Sequence, residues 1–596
     1  MTWDLTNFFP RFGGPEMQAF KTALRDDLQS LLQKTASLAP LDRNHQTDWE
    51  EALLKSEELQ KRLSHFGAYI DCLASADSPN ETYRSEESWL ASLRAERSKL
   101  RVEFIRAIRE TPEADFDAFV SRPVFEGAQF YLRRLREESR HMMAREKEVL
   151  AAELGVDGIQ AWGRLYDTVS GKLEFSVEYP DGRRERVPMS QRRSLMEHPD
   201  RRVRRAAFEG GNLAWQEVEE IAAASLNAIS GTRLTLNRQR GIEQFLEPAL
   251  FQSAVNRRTL DALFEAVNAH IELPRRMLRL KARWLGTPAL HWSDLSAPLV
   301  AHEKDQFSWE QAQRLVERSF TRAYPKLGEF VRMVLEKKWV DWEPRPGKRP
   351  GGFCAGSLLT NESRIFMTYR DTLGDVLTLA HEAGHAFHSY LMRGLRPYAR
   401  SSPMTLAETA STFGELILTR GFLDDPSATD REKVQILDME VGHAAIYLLD
   451  IPARFEFEKS LYEERGRGEV SLSRLKALMV ETERRVFGDA LEEGGEDPYS
   501  WASKLHFYIT GVTFYNFPYT FGFLLSRGLY AMFRAEGNSF LSRYEELLRL
   551  TGSDTAENVV RRTIGQNLES PEFWAAAIWS LEEPLHQLEA LYRPSQ

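Results

Sequence analysis

Apolar residues recur at three- and four-residue steps along much of the chain, the spacing that gathers them on one face of a helix. From Pro15 to Leu38 the positions Met17, Phe20, Leu24, Leu28 and Leu31 follow this rule. The same period runs through Trp49 to Leu73, Trp89 to Ile108 and Phe125 to Leu154, with short polar or proline-bearing breaks such as Asp77-Ser78-Pro79-Asn80 between them. Antiparallel helices are therefore predicted for the N-terminal region. From about Asp200 onward the pattern predicts helix after helix, including Arg257 to Leu285, Trp309 to Lys337 and Glu432 to Arg465. Two segments leave the helical period. Leu173 to Tyr179 alternates apolar and polar residues, meets the turn signal Pro180-Asp181-Gly182 and is followed by a short run ending at Val187, which predicts a surface hairpin. Phe353 to Leu359 and Ile365 to Tyr369 flank Thr360-Asn361-Glu362-Ser363 and predict a second hairpin. The fold class read from this pattern is mainly α with a small β-hairpin or sheet.

Length and composition sharpen that picture. A chain of 596 residues exceeds what one growing core accommodates, so two or more lobes are expected. Arg192, Arg193, Arg201, Arg202, Arg204 and Arg205 crowd one stretch and read as a solvated or interdomain face. They place a boundary between an N-terminal helical lobe, 1–190, and a catalytic domain, 191–596. The net charge of −10 is mild, and no aromatic platform is interleaved with those arginines, so neither nucleic acid nor an anionic membrane is an expected partner. The two cysteines, Cys72 and Cys354, exclude a disulfide framework and fit a reducing compartment. The start Met1-Thr2-Trp3-Asp4-Leu5 lacks the features of a signal peptide, so a cytoplasmic location is expected. The apolar stretch Phe514 to Phe533 is interrupted by Asn516, Pro518, Ser526 and Arg527 and does not read as a membrane span.

The chemistry concentrates after residue 371. Asp371-Thr372-Leu373-Gly374-Asp375 supplies capping residues, and Val376, Leu377, Leu379, Ala380, Ala383 and Phe387 continue at helical spacing. His381 and His385, four apart on that helix, can converge on one zinc ion, with Glu382 beside them as the general base. Zinc lowers the pKa of a bound water from ~15.7 to ~7, and a neighbouring carboxylate can take the proton as that water attacks a carbonyl. A catalytic zinc needs a third protein ligand. His388 lies on the same face but about 10.5 Å along the axis from His381, too far to share the ion. The metzincin continuation requires Gly at 388 and His at 391, where this chain has His388 and Leu391. Beyond a loop, a second helix carries Glu408, Ser411, Thr412 and Glu415 on one face. Glu408, nearest its start, is the candidate third ligand, and Glu415 suits a partner that orients a ligating histidine, with His388 as a possible companion.

Leu379-Ala380-His381-Glu382-Ala383-Gly384-His385-Ala386-Phe387-His388, Ala407 to Glu415, His506-Phe507-Tyr508 and Phe514 to Gly522 together resemble the oligoendopeptidase F branch of the M3 family of zinc metallopeptidases, and the likeness spans most of the chain. The resemblance implies His381, His385 and Glu408 as ligands to one Zn2+ and Glu382 as base, in agreement with the spacing. It further implies that His506, Tyr515 and Tyr519 bind substrate and stabilise the oxyanion, with Tyr508 among the substrate-binding residues. Phe523 stands where thimet-type members carry tyrosine, and the loop from His506 to Tyr515 is longer than theirs, so the choice between Tyr515 and Tyr519 as donor stays open. The implied fold is gluzincin-like, two helical lobes flanking a deep substrate channel with the zinc on its floor. The implied function is endopeptidase cleavage of short unfolded peptides, held against a strand between Gly352 and Tyr369. The nearest rival is a metallo-carboxypeptidase or dipeptidase using the same zinc site; a silent peptide-binding protein would lack Glu382 or a ligand. Monomer and homodimer are both open.

Overall fold

The computed structural model describes residues 2–300 and 307–593, and these are 70% helical with two small sheets. Helices form where the apolar period predicts them: Pro15–Ser37, Gln46–Ala76 and Glu81–Arg109. The break at 77–80 ends in Asn80, whose side chain accepts from the backbone N–H groups of Thr82 and Tyr83 and so starts the third helix. Three longer predictions resolve into pairs. Phe125 to Leu154 divides into Gln129–Arg140 and Arg145–Asp157; Arg257 to Leu285 divides at His270; Trp309 to Lys337 divides at Pro325, which opens a new helix because it lacks the N–H that a continuing helix needs. Asp430–Ala445 instead continues through a wider π turn, Ile446–Asp450, into Ile451–Arg465.

The first hairpin is where the alternation places it; in the second, the returning strand begins at Glu362, inside the expected turn, and ends at Phe366, short of Tyr369. Strands β1 (Glu174–Glu178) and β2 (Arg184–Pro188) pair antiparallel from Glu174 opposite Pro188 to Glu178 opposite Arg184. A two-residue strand, β3 (Val340–Asp341), is too short to show in the sequence; it runs parallel to β5 (Glu362–Phe366), which pairs antiparallel with β4 (Phe353–Ser357). The order β3-β5-β4 leaves β4 at the edge.

The chain divides into two compact units, each built from three segments: Met1–His141, Glu303–Asp424 and Leu529–Gln566 in the first, Met142–His302, Asp425–Gly528 and Asn567–Gln596 in the second. A single boundary at 190/191 does not match this division, because contacts between residues distant in sequence decide which segments cluster. In the first unit, the three N-terminal helices pack on one another, and Cys72 and Ala76 meet Trp3 and Phe366 at the small sheet. Helix Leu373–Leu391 lies against β4, β5 and helix Thr409–Leu423. In the second unit, Phe175, Val177 and Val187 of the β1–β2 hairpin pack on Ala207 and Ala214 of the long helix Arg201–Gln239.

The arginine-dense stretch meets the expectation of a solvated face only at Arg193 and Arg202, which are exposed. Arg192 and Arg204 are buried, Arg201 and Arg204 both bind the buried Asp294, and Arg205 pairs with Glu492. These cations are internal braces of the second unit, where each buried charge has a carboxylate partner. Among the described residues no helix is long and apolar enough to cross a membrane.

Candidate metal centre

Helix Leu373–Leu391 begins with a reciprocal cap: Thr372 Oγ1 accepts from the Asp375 N–H at 3.2 Å, and Asp375 Oδ2 accepts from the Thr372 N–H at 3.2 Å. Two turns beyond the cap, His381 and His385 project from one face. Their Nε2 atoms lie 3.2 Å apart, and Glu408 Oε2 is 3.3 Å from each. Among the described residues these three form the group able to hold a metal ion. A four-coordinate ion bonded at ~2.0–2.1 Å with tetrahedral angles sets neighbouring ligand atoms about 3.3–3.4 Å apart. The three atoms meet that spacing, so the donor set fits a tetrahedral ion with one position left over.

Glu408 does not sit inside the second helix. It ends the short turn Met404–Ala407 and is the residue from which Thr409–Leu423 starts, its carbonyl accepting the Thr412 N–H at 3.1 Å. Ser411, one turn later and fully buried, donates its Oγ–H to Glu408 Oε2 at 2.7 Å, fixing the oxygen that faces both imidazoles. The sequence places Ser411 on the right face, but only the tertiary structure shows this bond. Glu415 Oε1 lies 2.5 Å from His381 Nδ1, which leaves Nε2 as the imidazole atom presented to an ion.

Two glycines let these helices meet. A Cβ on Gly384 would stand 2.5 Å from the Ala410 carbonyl oxygen and 2.6 Å from Ser411 Cα; one on Gly414 would stand 3.0 Å from the Ala380 carbonyl oxygen. The glycine within the His381–His385 run thus admits the backbone of the helix that brings Glu408 and Glu415.

Three carboxylates, Glu382, Glu408 and Glu415, face two imidazoles, so the chain alone carries surplus negative charge here. Burial opposes a charge on His381, yet Glu408 and Glu415 push its pKa up to about 10. Burial likewise opposes charge on Glu408, but the two histidines hold it well below the carboxylate range. A divalent cation at the three ligand atoms would offset this negative charge. Glu382 is raised by burial against the pull of the histidines, and its Oε2 is buried without a hydrogen-bond partner. Its Oε1 lies 3.3 Å from where a Gly352 Cβ would be, so the backbone at the start of the edge strand β4 passes directly beside it. Cys354, on β4, has its thiol pushed up to about 12 by burial and by the Glu382 charge.

His388 is displaced from the role of companion to Glu415. It is buried, its Nε2 lies 3.0 Å from both the Leu548 carbonyl and Thr551 Oγ1, and burial pushes it down to about 4. One turn beyond His385, it meets helix Leu541–Leu550 and ties the metal-site helix to it.

The remaining predicted residues belong to the second unit. There His506, Tyr515 and Tyr519 gather: ring centroids are 5.7 Å apart for His506 and Tyr515, 5.9 Å for His506 and Tyr519, and 5.6 Å for the two tyrosines. Burial, with Arg454 and Lys504 nearby, pushes His506 down to about 4, so its imidazole is neutral. Tyr508 is not part of this group. Its ring stacks on Tyr166 at 3.6 Å within the core that includes Trp215 and Phe507, which withdraws it from the substrate-binding role. Phe523, in place of a tyrosine, stacks on Tyr447.

Comparison with known proteins agrees with this geometry. The chain is 26% identical over 611 aligned positions to an oligoendopeptidase F homolog of Lactococcus lactis subsp. lactis (strain IL1403), covering 99% of this chain and 97% of the relative. It is 24% identical to oligopeptidase PepF of Bacillus subtilis (strain 168), covering 99% and 87%. The fold matches the crystal structure of oligoendopeptidase-F from Enterococcus faecium with a TM-score of 0.71 at 20% identity, over 96% of this chain and 99% of that one. A family model described as Oligopeptidase F matches residues 108–175. The model of peptidase family M3 matches residues 194–578, a span that holds the His381, His385 and Glu408 group whole, and the chain is therefore a metallopeptidase belonging to peptidase family M3.

Proposed function

We propose that this peptidase is a zinc-dependent endopeptidase that cleaves internal bonds of short unfolded oligopeptides. The observation that carries the reading is the mutual 3.2–3.3 Å spacing of His381 Nε2, His385 Nε2 and Glu408 Oε2, with the unpartnered Glu382 Oε2 on the adjacent residue. Two imidazoles and one carboxylate are the ligand set of gluzincin-type zinc sites, and a zinc ion there would supply Lewis acidity toward a carbonyl and an acidified water. The chain's own residues do the rest. Glu382, buried and raised in pKa, accepts the nucleophile's proton at Oε2 and returns it to the departing amine. Glu415 holds His381 in the tautomer that presents Nε2, and Ser411 holds the Glu408 oxygen. The free edge of β4, which passes Glu382 at Gly352, gives an extended peptide a row of backbone partners and leaves sequence preference to a few side chains. Following the family pattern, Tyr515 or Tyr519 donates to the oxyanion, worth about 3–4 kcal/mol for such a donor. A reducing, cytoplasmic setting fits the unpaired Cys72 and Cys354.

The exopeptidase alternative is separated by mass spectrometry of products from one nonapeptide with free termini and the same peptide blocked at both. An endopeptidase cuts both at the same internal bond. Loss of cleavage on blocking would replace this reading with a carboxypeptidase or dipeptidase.

A further inference from the structure

The loop 508–516, between the turn Leu505–Phe507 and helix Phe517–Glu536, holds an unfavourable shape. Phe514 has φ +51°, a left-handed conformation rare for a bulky side chain, and its ring is buried against Phe245, Phe455 and Tyr462. That reversal separates the direction of Phe514, which enters the core, from that of Tyr515, which turns to His506 and Tyr519. Something must hold it, and two charged residues outside the loop do so. Glu458, on helix Ile451–Arg465, is buried and accepts the Phe514 N–H at Oε1, 2.9 Å away. Arg233, on helix Arg201–Gln239, donates to the carbonyls of both Ile509 and Val512, and its other nitrogen donates to the Tyr462 hydroxyl at 2.9 Å. Thr513 Oγ1 donates to the same hydroxyl at 3.2 Å.

The loop is thus fastened at Ile509, Val512, Thr513 and Phe514 by side chains that do not belong to the ring cluster. Asn516, two residues on from Phe514, is fully buried, and its amide lies beside the Glu458 carboxyl and favours its charged form. Glu458, Asn516 and Arg233 are the groups that face one another here, and burial pushes the Glu458 carboxyl up to about 7. Burying an acid is costly, and here the acid accepts the backbone N–H of the one residue of the loop held at positive φ.

We propose that Glu458 and Arg233 are positioning residues for the reaction: together they hold loop 508–516 in the conformation that gathers Tyr515 and Tyr519 with His506, and they act on catalysis only through those tyrosines. The proposal rests on the reading of the tyrosines given under Proposed function. Its test is a double-mutant cycle on the full, metal-loaded chain, with kcat and KM measured on an internally quenched peptide and folding checked by thermal melting. Glu458→Ala lowers kcat on the order of 10²-fold with KM little changed, the scale of a misplaced group about 1 Å out of line. Glu458→Gln, which still offers an oxygen to the Phe514 N–H, restores most of the rate. Added to whichever of Tyr515→Phe or Tyr519→Phe lowers kcat, Glu458→Ala costs almost nothing further, because the residue it positions is already gone. Should Glu458→Ala fail to fold, Arg233→Lys is read the same way, since a single ammonium cannot replace the two guanidinium nitrogens, one on the Ile509 and Val512 carbonyls and the other on the Tyr462 hydroxyl. A wild-type kcat in the folded Glu458→Ala protein, or an undiminished loss in the tyrosine background, overturns the clamp while leaving the tyrosines' role intact. Wild-type kcat in both tyrosine variants overturns the reading of the tyrosines themselves, and the clamp's purpose with it.

Discussion

Gly384→Ala separates what a helix wants from what this site needs. On an isolated helix the change is favourable by about 1 kcal/mol, since alanine loses less backbone entropy. Here the new Cβ would stand 2.5 Å from the Ala410 carbonyl oxygen and 2.6 Å from Ser411 Cα, where ordinary contact begins at 3.4 Å. Both obstacles are backbone, so no rotamer change relieves them, and helix Thr409–Leu423 must retreat by about 0.8–0.9 Å at the contact. That helix starts from Glu408, carries Glu415 and includes the Ser411 hydroxyl that fixes Glu408, so its retreat separates the carboxylates from the histidines. Metal ligation tolerates roughly ±0.2 Å. The expected result is a loss of about 1–3 kcal/mol in stability from overpacking, metal affinity lower on the order of 10–100-fold, and kcat/KM down about 10²-fold. Competition against a chromogenic chelator, thermal melting of the metal-free protein and peptide cleavage measure the three. A variant that binds metal as tightly as the wild type and keeps its kcat/KM would refute the claim that backbone contact at Gly384 sets the ligand geometry.

Other predictions follow from neighbouring contacts. Glu415→Ala removes the carboxylate at His381 Nδ1 and is expected to weaken metal binding about 10–100-fold by the same chelator competition, with little change in melting temperature of the metal-free chain. Thr372→Ala breaks the reciprocal cap with Asp375 and is expected to cost about 1 kcal/mol in urea unfolding while metal affinity changes little. Glu458 predicts a pH dependence of stability. Its folded carboxyl keeps its proton up to about 7, whereas the unfolded one releases it at an ordinary 4.5, so its contribution is full below pH 4.5 and is lost as pH rises through 7. Between pH 5 and 8 wild-type stability should therefore fall relative to Glu458→Gln by up to about 3 kcal/mol, read from urea unfolding at each pH.

The parts of the site legible in the sequence are those fixed within one element. The His381, Glu382 and His385 spacing and the Thr372–Asp375 cap follow from helical geometry, and both are present. Glu408 was reachable as the acid nearest the next helix, but its place as the residue before that helix, and the Ser411 bond that fixes it, depend on two helices meeting at Gly384. His388 and Tyr508 show the opposite case. Each neighbours the right motif in sequence, and each is turned into a core by partners far along the chain, Leu548 and Thr551 for one and Tyr166 for the other. Arg201, Arg204 and Arg205 read as surface because Asp294 and Glu492, which neutralise them, lie about 90 and 290 residues away, a long-range pairing that no local pattern carries. The helical class and both hairpins survived because periodicity is local; the three-segment make-up of each unit is a property of distant contacts.

The central claim is that His381, His385 and Glu408 hold one zinc ion and that Glu382 handles the proton. The most direct measurement pairs metal content with turnover of a short internally quenched peptide in the wild type and in Glu382→Gln. The account predicts one equivalent of zinc in both proteins, chelator-sensitive cleavage in the wild type and a fall in turnover on the order of 10²–10⁴-fold in the variant. Undiminished cleavage by Glu382→Gln, or by wild-type protein stripped of metal, would contradict it.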